Sequence, residues 1–206
     1  MAEREGPAEG AGAEAPAPEA AASAPPLLGR LCERFGDAIL ATHCFRGDAT
    51  AIVKPEALLD VCRWLRDDGE AAFDLLLDVT AVDFLGRAPR FEVVYHLLSL
   101  SRNERLRLKV PLEESAPQVP SLVPVWKGAN WLERETWDMY GIVFQGHPDL
   151  RRIYLYEEFE GHPLRKDYPK ERRQPLIGPG APAREGAVAS ERGSGGIPGG
   201  AAGRKG

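Results

Sequence analysis

The chain has 206 residues, a formal net charge of −5 and 28% charged side chains. A mildly acidic total gives no basic surface of the kind that binds nucleic acid, and the apolar runs fall far below the ~18 residues of a membrane span. The acidic N-terminus resembles neither a secretory signal nor a transit peptide, so we expect a protein made and kept in a prokaryotic cytoplasm.

Both ends of the chain have compositions that cannot bury a core. Residues 1–26 are rich in Ala, Pro and Glu, and residues 170–206 are rich in Gly with few apolar side chains, so we expect both to be disordered. The remaining residues, 27–169, suffice for one well-buried domain. We divide it into an α/β core over residues 27–118 and an interface helix and loop over residues 119–169.

The first part of this domain shows helical and extended patterns in turn. Apolar residues at helical spacing predict a helix that ends at Gly36; they are Leu28, Leu31, Cys32 and Phe35. Two short strands, over residues 38–44 and 49–53, flank a turn at residues 46–48. Pro55 begins a second helix as its first residue. Its predicted buried stripe is Leu58, Val61, Cys62 and Leu65.

The apolar period then changes to two, which predicts three strands. The residues that share a face are Phe73, Leu75, Leu77, Val79 and Ala81 in the first, Phe91, Val93, Tyr95 and Leu97 in the second, and Leu106, Leu108 and Val110 in the third. The third strand alternates with Arg105, Arg107 and Lys109, which discourage edge-to-edge pairing. The element order predicts an α+β fold, a two-layer sandwich with a mixed sheet.

A short helix is predicted over residues 131–140, and Gly141 ends it. Asn130 is interpreted as its N-cap, with Glu133 in capping-box position. Arg134 and Asp138 stand four residues apart and are predicted to pair on the helix surface. The helix also carries more apolar surface than docking on its own sheet requires; its apolar residues are Trp131, Leu132, Trp137, Met139 and Tyr140.

Two Gly-His-Pro triplets, at residues 146–148 and 161–163, raise the question of a metal site. His147 and His162 could be joined as ligands by nearby carboxylates, which are Asp149, Glu157, Glu158 and Glu160. No close His/Cys spacing supports such a site. We favour two turns whose imidazoles hydrogen-bond locally or serve an interface, and we expect no metal.

Acid–base chemistry is a further possibility, since Glu133, Glu135 and Asp138 crowd one short helix. Neighbouring carboxylates can raise a pKa and create an acid. Nothing in the sequence defines a substrate pocket or an oxyanion donor. We therefore favour a solvated helix face or a set of ion pairs between subunits, and we expect no catalytic residue.

No cofactor-binding pattern stands up to physical inspection. Three cysteines cannot supply the four thiolates that an iron–sulfur cluster usually takes. Cys32 and Cys62 are predicted to lie on apolar helix faces as small hydrophobes. A G-x-G-x-x-A match from Gly178 to Ala183 holds two prolines and lacks a preceding strand. No phosphate-binding loop or nucleophile elbow is present.

Two blocks near the end of the domain carry a family resemblance. The first runs Asn130-Trp-Leu-Glu-Arg-Glu-Thr-Trp-Asp-Met-Tyr-Gly141 and continues through Gly146-His-Pro-Asp-Leu-Arg-Arg-Ile153; the second is Gly161-His-Pro-Leu-Arg-Lys-Asp-Tyr-Pro169. Together they resemble the motifs of the 30 kDa or C subunit of proton-translocating NADH:quinone oxidoreductase, the respiratory complex I or NDH-1 of bacteria. Upstream, Leu77-Asp-Val-Thr-Ala-Val-Asp83 is similar to that family's central strand.

The resemblance implies a non-catalytic subunit in the peripheral arm, on the cytoplasmic side of the inner membrane. FMN and iron–sulfur clusters would be held by other subunits, which pass electrons from NADH to quinone with coupled proton translocation. The chain would bind the quinone-site or D subunit, which helps to shape the quinone cavity, and neighbouring cluster-bearing subunits. Since the chain has no extension that resembles the quinone-site subunit, the two are expected to be separate chains.

We therefore predict that the repeated triplets form a recognition surface. Arg gives directional pairing with partner carboxylates, and aromatic side chains are frequent interface anchors, here including Phe144. The predicted interface residues are Trp131, Glu133, Arg134, Glu135, Trp137, Asp138, Tyr140, His147, Arg151, Arg152, His162, Arg165, Lys166 and Asp167.

Two alternatives stay open. One lies in the same family, because related subunits occur in membrane-bound hydrogenases and in other complexes that replace NADH with a different donor. The other belongs to another class: a stand-alone acid–base enzyme that uses His147 or His162 with Glu133 or Glu135.

Overall fold

The computed structural model describes residues 26–174, so the predicted disordered tails, apart from residues 26 and 170–174, and the match at Gly178 lie outside it. The elements are α1 (Pro26–Phe35), β1 (Ile39–Phe45), β2 (Asp48–Val53), α2 (Leu58–Asp67), β3 (Leu75–Asp83), β4 (Phe91–Ser99), β5 (Glu104–Leu112), β6 (Gln118–Pro120), α3 (Ala129–Tyr140) and β7 (Val143–Gln145). Short 3₁₀ turns precede β1 and α2. After β7 the described chain has no helix or strand.

Five strands form the main sheet in the order β1-β2-β5-β4-β3. The β2–β5 pair is parallel and the other three pairs are antiparallel, so the sheet is mixed. Strands β6 and β7 form a separate parallel pair. The predicted α+β class, with a mixed sheet followed by a short helix and an extended segment, is confirmed.

The helices cover one face of this sheet. Val79, Tyr95, Leu108 and Ala51 pair from strand to strand in one row and are all buried, because paired residues share a face. The stripe predicted for α2, from Leu58 to Leu65, is fully buried against this face. The core thus lies between the sheet and the three helices.

The neighbouring row, one residue along each strand, lies on the opposite face of the sheet. It joins Asp78, His96, Arg107 and Thr50. The basic residues of β5 belong to this face, where Lys109 pairs with Glu92 at 2.9 Å. Strand β5 is an interior strand, so the edge-protecting role predicted for its basic residues is wrong.

Strand β3 departs from its predicted pattern. Its pairing with β4 is irregular between Leu76 and Asp78, and this shift exposes Leu75 and Leu77 while it buries Leu76. The family resemblance implied that this strand is central. The strand instead lies at one edge of the sheet. The prediction for Cys32 is also wrong, since this residue is exposed while Cys62 is buried.

Helix α3 begins two residues earlier than predicted and has no side-chain cap. Gly128 occupies the N-cap position, and Asn130 lies inside the helix. The predicted capping box is therefore wrong, because the Glu133 carboxylate bonds to Ser121 and Leu122 in the loop after β6. Gly141 does end the helix, with φ of 78°. Within residues 26–174, no helix has the length and apolar character needed to cross a membrane.

Candidate functional site: helix α3 and the C-terminal segment

The segment from residue 146 to residue 169, called here the C-terminal segment, follows α3 without regular secondary structure. A chain of this kind needs partners for its backbone polar groups. The charged residues of α3 supply many of them. Helix α3 itself packs on β3, where the Thr136 hydroxyl hydrogen-bonds to the Val79 carbonyl oxygen at 3.0 Å.

Asp138 is the most strongly bonded of these residues. Its carboxylate has no exposed surface and accepts the amides of Ile153, Tyr154 and Leu155 at 3.1, 3.0 and 3.0 Å. The Arg152 guanidinium donates to its other oxygen at 2.6 Å. Burial alone raises the pKa of Asp138, but the hydrogen bonds outweigh it and hold the pKa below its ordinary value.

Arg152 extends this bonding along the C-terminal segment. Beyond Asp138, its guanidinium donates to the carbonyl oxygens of Phe159 and Gly161 at 2.8 and 3.2 Å. It also lies over the rings of Trp137 and Phe159, 5.8 and 5.7 Å from their centroids, within the range of a cation–π contact. Arg152 therefore holds two parts of the C-terminal segment, residue 152 itself and residues 159–161, against α3.

Arg134 also binds the C-terminal segment, at residues 151 and 152. Its Nε and Nη2 atoms donate to the carbonyl oxygens of Arg151 and Arg152, each at 3.1 Å. The predicted surface pair between Arg134 and Asp138 is wrong, since both side chains are buried and bind the C-terminal segment instead.

The two Gly-His-Pro histidines bind opposite ends of α3. Near its start, His147 Nε2 donates to the Asn130 carbonyl oxygen at 3.1 Å, and its Nδ1 accepts the Asp149 amide at 3.0 Å. Near its end, His162 Nδ1 donates to the Asp138 carbonyl oxygen at 2.9 Å. Carbonyl oxygens only accept, so these contacts fix a neutral tautomer for His147 and a protonated Nδ1 for His162.

The end of α3 is closed by the segment as well as by its own glycine. The last carbonyl groups of a helix have no partner within it. Here the Trp137 oxygen accepts the Gly141 amide at 2.8 Å, and the Met139 oxygen accepts the Leu164 amide at 3.1 Å. Burial lowers the pKa of His162, whose imidazole covers the helix end.

Glu133 faces inward from α3 and has no exposed surface. It accepts the Ser121 hydroxyl and the Leu122 amide, each at 2.6 Å, and His147 Nε2 is 4.0 Å away. Burial raises the pKa of Glu133 to about 7, although these two donors oppose the rise. The carboxylate holds the loop after β6 against the helix.

A second charged cluster holds the last part of the C-terminal segment. Arg90, almost fully buried, makes two hydrogen bonds of 2.9 Å to Asp83. It also bonds to Glu114 at 2.5 Å and to Asp167 at 3.1 Å. Asp83 in addition accepts the Lys166 amide at 2.8 Å. Arg90 holds the pKa values of Asp83 and Asp167 below the ordinary range.

The fourteen predicted interface residues therefore divide by exposure. Glu133, Arg134 and Asp138 are buried and bonded within the chain, so their assignment to a partner surface is corrected, and Phe144, buried in the core, is not an anchor. Six others are partly buried and pack within the chain or bond to it: Trp137, Tyr140, His147, Arg152, His162 and Arg165. Partner contact stays a prediction for these six and for the remaining five, which are Glu135, also partly buried, and the exposed residues Trp131, Arg151, Lys166 and Asp167.

The exposed residues near α3 include several large apolar side chains. Trp131 is 67% exposed and Tyr154 is 66% exposed, while Leu164 is 49% exposed. Arg151 lies among the exposed residues and pairs with Asp149 at 3.0 Å. Large exposed aromatic groups on an ordered surface are typical of protein–protein contact.

The structure gives no support to a histidine-based catalytic site. Both oxygens of Glu133 and both ring nitrogens of His147 are engaged by groups of the chain, and His162 covers a helix end. The predicted solvated face is wrong for Glu133 and Asp138, whose carboxylates are buried. Within residues 26–174, no three His, Cys, Asp or Glu side chains come together in a way that could hold a metal ion.

Sequence reasoning misses the partners of the second cluster. In the sequence Asp83 is only the end of a strand, and no pattern singles out Arg90 or Glu114. Asp83 ends β3 and Arg90 immediately precedes β4, and this placement on the two sides of a hairpin loop is the available signal. Ser121 and its bond to Glu133 have no sequence signal, because the two residues come together only through packing.

Comparison with known proteins adds independent information. Residues 51–174 match the family described as "Respiratory-chain NADH dehydrogenase, 30 Kd subunit". The C subunit of NADH-quinone oxidoreductase from Roseiflexus sp. (strain RS-1) is 54% identical over 143 residues, which cover 69% of this chain and 82% of that protein. The protein of the same name from Geotalea uraniireducens (strain Rf4) is 48% identical over 140 residues, 68% of this chain and 84% of that one.

Two solved structures share the fold. The one titled "Nqo5 of the trypsin-resistant fragment (1-134) in P63 form" is 29% identical, with a TM-score of 0.52 over 61% of this chain and 97% of that chain. A chain of the membrane-bound sulfane sulfur reductase, an archaeal respiratory membrane complex, has a TM-score of 0.61 over 71% of this chain and 85% of that chain. At 21% identity, the second likeness shows the fold alone. The resemblance drawn from the two motif blocks is confirmed.

The raised pKa of Glu133 predicts a pH-dependent stability. The folded-state pKa is about 7, against 4.5 for an ordinary glutamate, so folding favours the protonated form. The contribution of Glu133 is complete below about pH 4.5 and is lost as the pH rises to about 7. We expect the stability of the native chain relative to Glu133→Gln to fall by ~3 kcal/mol over this range, measured by urea unfolding. A relative stability that stays flat would contradict a buried, protonated Glu133.

Two glycines allow the packing of His162 on α3 to be tested. Gly141 and Gly146 have φ values of 78° and 77°, so alanine is strained at both, by about 1–2 kcal/mol. A Cβ at Gly141 would lie 2.6 Å from His162 Cδ2, whereas a Cβ at Gly146 meets nothing within 4 Å. We expect Gly141→Ala to lower the free energy of unfolding by at least ~1 kcal/mol more than Gly146→Ala.

The same pair of variants in a His162→Ala background serves as the control. Without the imidazole, the two alanine substitutions should cost similar amounts, as judged by urea unfolding. Equal costs already in the native background would mean that His162 does not lie against the end of α3.

Proposed function

This chain belongs to the respiratory-chain NADH dehydrogenase 30 kDa subunit family, and on that basis we propose that it braces the quinone-reducing part of an NADH:quinone oxidoreductase by binding the quinone-site subunit. The proposed contact surface is formed by α3 and the C-terminal segment. In this role the chain holds a neighbour in position and makes or breaks no bond itself.

The observation that carries the proposal is the division of the α3 residues into an inward and an outward set. The inward residues Glu133, Arg134 and Asp138 bind the chain's own loops. They leave Trp131 and the exposed face of the C-terminal segment, with Tyr154 and Leu164, uncovered. A segment that is already ordered loses less conformational entropy when it binds. A larger share of the contact energy of its exposed groups therefore contributes to the affinity.

Exposed basic side chains support a protein partner. The side chain of Arg151 is 63% exposed, and its guanidinium pairs with an exposed carboxylate, that of Asp149. Lys166 uses its backbone amide within the chain, and its side chain is exposed. These cations would contribute mainly to orientation and to the rate of encounter, whereas Trp131 supplies the area of an anchor.

We further propose that FMN and the iron–sulfur clusters belong to other subunits of the complex. Cys62 is buried in the core, and burial raises the pKa of its thiol, which disfavours the thiolate that a cluster needs. Cys32 lies on α1 and Cys44 on β1. Electron transfer from NADH to quinone, with its proton coupling, would then pass through the neighbours of this chain, in an arm on the cytoplasmic side of the inner membrane.

NADH is the favoured donor because the similar proteins from Roseiflexus and Geotalea are named as subunits of NADH-quinone oxidoreductase. The hydrogenase-like alternative has no comparable support, since the sulfane sulfur reductase likeness shows the fold alone. The stand-alone enzyme is disfavoured by the engaged atoms of Glu133 and His147.

The anchor role of Trp131 can be tested by co-expression of the chain with a candidate quinone-site subunit. Trp131 is 67% exposed, so Trp131→Ala should leave the fold intact and weaken binding at least tenfold, in the range of an interface hot spot. The affinity is measured by titration after gel filtration shows whether the two chains migrate together.

Leu100→Ala is the matched control, because Leu100 is 65% exposed but follows β4, away from α3 in the sequence. It should bind the quinone-site subunit as the native chain does. Full-strength binding by a folded Trp131→Ala variant would remove Trp131 from the interface, and failure of the native chain to bind the quinone-site subunit would overturn the proposed function.

A further inference from the structure

Strand β1 forms one edge of the main sheet. Within residues 26–174 it pairs with β2 alone, and most of its residues are exposed. Its sequence, Ile39 to Phe45, contains no Asp, Glu, Lys, Arg or Pro. Natural proteins usually protect a sheet edge with such residues, because the unpaired backbone groups of an open edge can pair with another strand.

The opposite edge of the same sheet is protected. Strand β3 carries an irregularity between Leu76 and Asp78, and helix α3 packs beside it with the Thr136 hydroxyl bonded to the Val79 carbonyl oxygen. At its end, Asp83 binds the Lys166 amide of the C-terminal segment. Strand β1 has an irregularity of its own, between Ile39 and Ala41, so the contrast between the two edges rests on the contacts that α3 and the C-terminal segment make with β3.

The hairpin between β1 and β2 shows which backbone groups of β1 point outward. Arg46 and Gly47 form its two-residue turn with φ values of 51° and 89°, as in a type I′ turn. In such a hairpin the flanking pair, Phe45 with Asp48, is hydrogen-bonded, and bonded pairs then alternate along the ladder. The amides and carbonyls of Thr42 and Cys44 therefore point away from β2.

We propose that the β1 edge receives an extended strand of a neighbouring subunit, which pairs with the outward groups of Thr42 and Cys44. The side chains around this edge select an uncharged strand. Leu40 and Phe45 are 50% and 53% exposed, and β1 carries no Asp, Glu, Lys or Arg that could pair with a charged strand. Main-chain hydrogen bonds supply the affinity and these apolar groups the specificity.

A neighbouring subunit fits this edge better than a second copy of the chain. Seven paired residues extend only about 23 Å, and one added strand buries well under the ~800 Å² per partner of a stable interface. The incoming strand must therefore belong to a protein that is also held elsewhere, which is the situation inside a multi-subunit arm. This part of the inference rests on the proposed function.

The β1 edge would serve a different neighbour from the one on α3. Four strand spacings separate β1 from β3 in the sheet order, a distance of about 19 Å. Helix α3 and the C-terminal segment lie at the β3 edge. The chain would thus connect two neighbours through the two edges of one sheet.

Amide hydrogen exchange at single-residue resolution tests the pairing directly. The isolated full-length chain is compared with the same chain in the assembled, purified oxidoreductase complex. We expect the amides of Thr42 and Cys44 to exchange at least tenfold more slowly in the complex, whereas those of Ala41 and His43, already paired with β2, should change little. Equal exchange of Thr42 and Cys44 in both states would overturn the proposal.

A competition experiment gives a second readout. Native and variant chains are co-expressed and their ratio is measured by mass spectrometry in the purified complex. Thr42→Lys places a charge at the exposed edge and should lower incorporation at least fivefold, whereas Leu100→Lys, at a position 65% exposed after β4, should incorporate as the native chain does. Equal incorporation of Thr42→Lys would count against the proposal.

A photo-reactive phenylalanine analogue at position 42 identifies the occupant. A cross-link to another subunit supports the proposal, and a cross-link to a second copy of this chain overturns it. The outcome is separable from that for the α3 surface. If Trp131→Ala weakens binding to the quinone-site subunit while Thr42 and Cys44 stay unprotected, the β1 inference alone fails. If the native chain enters no such complex, both fail.

Discussion

A buried carboxylate with four donors is the interaction on which the arrangement of α3 and the C-terminal segment depends. Asp138 has no exposed surface, and its donors are the Arg152 guanidinium and three successive amides of the C-terminal segment. Removal of one partner from a buried ion pair typically costs 3–5 kcal/mol, because the remaining charge stays without compensation. The segment and α3 therefore have one stable arrangement relative to each other, although the segment has no regular secondary structure.

The other contacts follow from this constraint. Once Asp138 fixes the chain at Ile153, Arg134 and Arg152 meet backbone carbonyls before and after that point. The two Gly-His-Pro triplets then reach the two ends of the helix. The repetition of the triplet in the sequence thus corresponds to two equivalent tasks, each one the binding of a helix carbonyl by an imidazole. In this way the charges of the motif shape a surface, and the groups they leave exposed are available to a partner.

Much of the fold could be predicted from apolar periodicity, because burial on one face leaves a regular trace. The stripe of α2 from Leu58 to Leu65 and the hairpin around Gly47 are examples. Predictions failed where a residue had two possible partners or where a pattern was interrupted. Glu133 could cap its own helix or bind Ser121, and only packing decides between them; the irregularity before Asp78 reverses the faces of Leu75 and Leu77.

The charged residues of α3 show the limit of sequence reasoning about the site. Charged groups are usually exposed, and a short helix with Glu133, Arg134 and Asp138 therefore suggested a surface. The family resemblance drew attention to this segment, but it did not reveal that the three side chains point inward. Their partners lie up to 18 residues away in the sequence, as for Arg134 and Arg152, and no local pattern encodes such a contact.

The central claim is that the C-terminal segment is ordered by α3 before any partner binds. Backbone ¹⁵N relaxation of the isolated full-length chain tests this claim directly at Ile153, Tyr154 and Leu155, the three residues whose amides bind Asp138. We expect order parameters near ~0.85, as in a rigid backbone. Values below ~0.6, rising only when another subunit is added, would show that the partner orders the segment and would contradict the account.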